Sequence, residues 1–237
     1  MNHTISFKQS ADLVLELGER LLEIKKTEGY SDEDARGAAL SNCRYAALSA
    51  VMTLNILSMG EEGRISGDDF KKLIGMKTGD LQLAADIWEK MTRLGFLVVY
   101  QFQVENMLRN IIRELGLPEL GQGFYQVARA ITDLLPESGR KLELLYLPAM
   151  IRNSLHANGI HHGHRGSSTS IVLDGVSFDF THMEKVSCAG WRHLSIALNA
   201  AADIVEEILQ TPVVQALEDP IMDQYSWEQA TDPNEIA

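Results

Sequence analysis

The residues best suited to chemistry crowd into one stretch, Arg152-Asn153-Ser154-Leu155-His156-Ala157-Asn158-Gly159-Ile160-His161-His162-Gly163-His164. Arg152 and His156 are four apart, which on a helix puts them on one face within reach of a shared ligand. A guanidinium offers phosphate a rigid fork of donors, and an imidazole titrates near neutral pH, so the pair suits acid–base chemistry on a phosphate ester. Metal-independent cleavage of RNA needs those functions: a base for the 2′-hydroxyl, an acid for the leaving 5′-oxygen and a cation on the phosphate. Asn153 could orient the imidazole or donate to a phosphate oxygen. The plainer role for an Arg and a His near a helix end is to answer the negative end of the helix dipole.

Six of the seven histidines fall between positions 156 and 193, so a metal site built from His156, His161, His162 and His164 is the competing chemistry. Adjacent histidines in a glycine-containing loop seldom converge on one ion, and no cysteine pair supports them, so neither a metal nor a cofactor is expected. His161 and His162 are read as bringing positive charge to a substrate strand at mildly acidic pH, against the bland alternative of solvated loop histidines. Glu105, four residues before Arg109, is a surface ion pair or a polar group reaching toward the Arg152 helix.

The elements that must position these groups are mostly helical. The stripe Leu13, Leu17, Leu21, Ile24 predicts a first helix from Ser10 to about Gly29, and Ser31 with Asp34 predicts the cap of a second that runs to about Met59. A short helix follows around Phe70, capped by Ser66 and Asp69. A long one spans about Asp80 to Leu115, with Gly95 as the expected place of a break, and another runs from about Gln122 to Leu135. The helix from about Ser138 to Ala157 carries the opening motif. Its stripe Leu142, Leu145, Ala149 continues as Arg152 and His156, so two polar groups stand where a plain core helix would place leucine, which points them to a cleft or a subunit interface. Pro148 should kink this helix. Asp174-Gly175 between two short β-rich runs predicts a hairpin over residues 170–180, and a last helix covers about Cys188 to Gln210.

Composition bounds the partners. The chain has 237 residues and a formal charge of -12, but nine acids and no Lys or Arg lie between Asp203 and Ala237. Removing those nine from -12 leaves -3 for the first 202 residues, so a local basic patch is compatible with the acidic total. The acidic tail is expected to be irregular and mobile. No amino-terminal signal pattern and no apolar run long enough for a bilayer are present, which predicts a soluble, cytoplasmic protein without a membrane partner. Cys43 and Cys188 stand far apart and read as buried free thiols.

The succession Gln103-Val104-Glu105-Asn106-Met107-Leu108-Arg109 on one helix, followed by Leu145 to Met150 and Arg152-Asn153-Ser154-Leu155-His156-Ala157-Asn158-Gly159, resembles the HEPN superfamily (higher eukaryotes and prokaryotes nucleotide-binding). The resemblance covers residues 92–210. It implies a mostly α, HEPN-like helical bundle with an amino-terminal helical extension (1–91), a small inserted β-hairpin and an acidic tail (211–237). It also implies a homodimer acting on RNA or a nucleotide, as a metal-independent endoribonuclease of a defence or toxin–antitoxin type system with an antitoxin or defence partner. Arg152 would hold the phosphate, His156 would be the acid/base and Asn153 would position one of them. The family places four to six residues between its Arg and His, whereas three stand between Arg152 and His156. A one-residue change turns a helical side chain by about 100°. A non-catalytic helical module that binds RNA or a nucleotide is therefore the second expectation.

Overall fold

The structure, a computed structural model, describes residues 5–73, 75, 77, 79–117 and 123–223. The described chain is mostly helical with one small sheet. In order the elements are α1 Phe7–Glu28, α2 Ala35–Glu61, α3 Gly67–Leu73, α4 Leu81–Glu114, α5 Phe124–Thr132 and α6 Ser138–His156, then β1 Thr169–Leu173, β2 Val176–Phe180, α7 Trp191–Leu209 and α8 Pro212–Gln215. None of the described helices is long and apolar enough to cross a membrane.

α1 and α2 form a long antiparallel hairpin, and α4 packs along α2. α1 begins earlier than its leucine stripe suggests. Ser6 accepts from the Gln9 amide while the Gln9 side chain accepts from the Ser6 amide, a reciprocal cap that precedes the buried Ser10. α2 begins later than expected, because Asp34 rather than Ser31 is its cap, accepting from the Arg36 amide at 2.8 Å. α4 runs 34 residues straight through Gly95, so the expected break is absent. The 91/92 boundary accordingly falls inside one helix, and a single apolar core joins Ala11 at one end of the chain to Ile221 at the other.

α6 lies between α5 and α7 and touches α4. Pro148 is buried inside it without ending it. The hairpin has the expected register, Leu173 opposite Val176 and Ile171 opposite Phe178. Its turn residues Asp174 (φ 51°) and Gly175 (φ 71°) both take the left-handed conformation that a two-residue turn of this kind requires. Phe178 and Phe180 point from the strand into the core.

Residues 211–223, expected to be irregular and mobile, are instead docked. Val214 and Ile221 are buried, and the Ile221 carbonyl accepts from the Ala35 amide at 2.8 Å. The anchor is Arg36, a fully buried cation. Its Nε and Nη2 donate to the two Asp34 oxygens at 2.8 and 2.6 Å, and it also pairs with Asp219. Further on, Asp223 accepts from Asn106 and Asn110 on α4.

Both cysteines are buried and free, and burial raises their pKa, that of Cys188 to about 11. Neither should react with Ellman's reagent in the native protein, and both should react in denaturant; a thiol that reacts at once under native conditions would contradict this packing. Asp34→Ala strips the buried guanidinium of its main counterion and α2 of its cap, so urea unfolding should show a loss of about 3–5 kcal/mol. A loss under about 1 kcal/mol would mean that Asp219 suffices for Arg36. Burial alone would raise the Asp34 pKa, but bonds from Arg36 and the Ile221 amide outweigh it and hold it below the usual range. The unfolded chain therefore binds the proton first. The stabilisation is complete at neutral pH and is lost as pH falls through the native value.

Candidate functional site

α6 leaves the core as it ends. Leu145, Ala149 and Ile151 are buried, Arg152 is half-buried, and Asn153 and His156 are exposed. The polar continuation of an apolar stripe thus lies where the helix emerges from the bundle, with Arg152 and His156 one turn apart. The helix is closed by the Gly159 amide donating to the Ser154 carbonyl at 2.8 Å, with Asn158 (φ 57°) and Gly159 (φ 81°) left-handed.

Among the described residues Arg152 makes no salt bridge. Its Nε is buried and has no hydrogen-bond partner among the described residues. Its guanidinium acts on Tyr146, earlier on the same helix: burial raises the pKa of that phenol, and the Arg152 cation pulls it back down while Tyr125 adds to the rise. The Tyr146 ring stacks on Phe124 at 6.1 Å and meets Tyr125 edge to face at 5.3 Å. Tyr125 stands on α5 with much of its ring exposed. Tyr125 and Tyr146 thus cluster where α5 packs on α6, and Arg152 and His156 follow further along α6 toward its carboxy-terminal end. Such a set can bind an anion and stack a planar group. Sequence reasoning missed Tyr125 and Tyr146. Tyr146 could have been placed from its position on α6, but Tyr125 joins it only through the packing of α5 on α6.

The structure separates the loop histidines. His161 lies back over the end of α6, its Nδ1 3.3 Å from the Ser154 hydroxyl and its ring 5.3 Å from that of Phe180. Backbone pairing with the segment after β2 fixes it there: the His161 amide donates to the Glu184 carbonyl and its carbonyl accepts from the Met183 amide. Burial lowers its pKa first, and His182 and His162 lower it further. His162 is exposed. The loop turns at Gly163, where a Cβ would sit 1.7 Å from the Ser167 carbonyl oxygen, so only glycine fits. Glu105 is engaged by Arg109, which donates to it at 3.1 and 2.6 Å, the ion-pair arrangement that the spacing suggests. Among the described residues no group of three or more His, Cys, Asp or Glu is arranged to hold a metal ion.

No family model, no curated protein and no solved structure matches this chain.

His161 has a checkable consequence. Its native pKa lies below that of the unfolded chain, so the unfolded state takes up the proton first and stability falls with pH below the ordinary imidazole range. Denaturant midpoints at pH 7.5 and 5.5 should therefore differ less in His161→Gln than in the parent. An unchanged difference would show that His161 does not contribute.

Proposed function

We propose that this chain is a HEPN-like RNA-directed protein whose site is the outer end of α6, and that it acts as a metal-independent endoribonuclease on single-stranded RNA. The observation that carries this reading is Arg152, a half-buried guanidinium whose Nε–H has no partner among the described residues, one helical turn from the exposed His156. Arg152 holds the scissile phosphate, Tyr125 stacks on a neighbouring base, His156 moves the proton and Asn153 orients one of them. The exposed His162 adds charge along the strand when protonated. Homodimer formation, a cytoplasmic location and a defence or toxin–antitoxin setting with a partner protein belong to the same reading.

The second reading is a module that binds RNA or a nucleotide without cutting it, favoured by the short spacing between Arg152 and His156. One experiment separates the two. Single-stranded RNA is incubated with the protein in the presence of a chelator. Cleavage that is abolished by both Arg152→Ala and His156→Ala supports the enzyme. Binding without cleavage, weakened by Arg152→Ala and by about 1–3 kcal/mol in Tyr125→Ala, supports the module. Neither binding nor cleavage, or cleavage indifferent to both substitutions, overturns the placement of the site.

A further inference from the structure

From Leu83 to Phe102, α4 presents an apolar stripe that nothing in the described chain covers. Leu83, Ile87, Met91, Val99 and Phe102 are each between 41% and 63% exposed. With Gly95 in the step between Met91 and Val99 they follow a spacing of three or four residues, so they form one ridge along the helix. On the neighbouring α2, Tyr45 and Met52 are exposed to 62% and 67%, and the Asn42 amide donates across the seam between the helices to Gln103. Scattered apolar side chains on a surface are normal, but seven large ones at helical spacing on two packed helices are not.

Gly95 lies in the middle of that ridge, four residues from Met91 and four from Val99. Glycine inside a helix costs about 1 kcal/mol relative to alanine. Among the described residues nothing requires it, since a Cβ at Gly95 would meet no atom within 4 Å and α4 does not break there. A gap flanked by large apolar groups suits a second helix crossing with its backbone close to Gly95. Charge narrows the identity of that helix. The protein carries -12, yet residues 45–59 hold no charged side chain and residues 81–104 hold only Asp86, Glu89, Lys90 and Arg93, which cancel. This is a face on which two copies meet without like-charge repulsion, and one that offers little to a polyanion.

We infer that the α2–α4 face is an isologous interface, in which α4 of a second copy of this chain crosses at Gly95 on a two-fold axis. A residue on such an axis meets its own copy, so position 95 faces position 95 of the partner. This inference locates the homodimer of the proposed function and rests on none of its RNA chemistry; mass reads the interface and RNA cleavage reads the site, so either can fail alone. Sedimentation of the full chain at tens of micromolar should give twice the monomer mass. Met91→Glu and Phe102→Glu should each weaken the dimer at least about tenfold with an unchanged circular-dichroism spectrum. In a separate variant, Gly95→Cys should give a disulfide-linked dimer under mild oxidation, reversed by reductant, whereas Glu16→Cys on exposed α1 should not. A monomer at these concentrations overturns the inference, whether or not another protein covers the face. A dimer indifferent to both glutamates, or one that does not cross-link at position 95, overturns it as well.

Discussion

The structure depends on how one buried cation is neutralised. Arg36 is 1% exposed, and a guanidinium so placed must find partners for its charge and its donors. It finds them at both ends of the chain. Asp34 takes Nε and Nη2, Tyr30 lies under the guanidinium at 4.1 Å from ring to carbon, and Val214 and Asp219 come from the carboxy-terminal segment. Asp34 also caps α2 and accepts from the Ile221 amide at 2.9 Å. One carboxylate is thus helix cap, counterion and anchor for the returning chain. The α1–α2 turn cannot close in this form unless the segment after α7 closes with it.

From that knot the order reaches α4. The strap that begins at Arg36 continues to Asp223, which Asn106 and Asn110 hold, while Arg113 donates to the Met222 carbonyl at 3.0 Å. The second half of α4 is therefore fixed from two sides, by the strap and by the core around Tyr100, Val104 and Leu108. α6 packs against α4, α5 and α7 and inherits its position from them, with the Lys141–Glu207 pair joining it to α7. In its last turn Asn153 and His156 face solvent, while Ser154 is buried and Leu155 packs against the core. The first half of α4 lacks a comparable second layer, and none of residues 81–95 is buried.

What could be read from the chain followed the range of the forces involved. Helical periodicity and the Asp-Gly turn are local, and α7 and the hairpin lie where residues 170–210 predict them. The two lone cysteines read as buried thiols because nothing near them suggests a ligand set. The cap of α2 was misplaced because Ser31 and Asp34 both suit a cap by type, and the choice was made by Arg36, which draws the Asp34 carboxylate inward. Residues 211–223 of the tail depart from expectation for a related reason, while residues 224–237 lie outside the described residues. The tail's acidity suggests a solvated segment, yet Asp219 and Asp223 are bound by Arg36, Asn106 and Asn110, up to 187 positions away in sequence for the strap as a whole. Tyr125 escaped notice because its meaning comes from α5 lying against α6.

Arg36 and Arg152 show how the same residue type can be sorted by its partners. Arg36 uses its donors on carboxylates, a phenol and a carbonyl, leaving nothing for a ligand, and its charge is consumed in joining the chain ends. Arg152 has a buried Nε–H that no described residue accepts, a condition that costs about 1–3 kcal/mol where water does not reach. Unused buried polar atoms also occur on Arg44, Gln101, Asn106 and Trp191, so the cost alone does not mark a site. The difference lies in the surroundings. Gln101, Asn106 and Trp191 are buried side chains and Arg44 pairs with Glu19, whereas Arg152 is half-buried, with Asn153 and His156 open to solvent on the same helical end. That Nε–H is itself buried, so an anion uses it only if the Arg152 side chain turns.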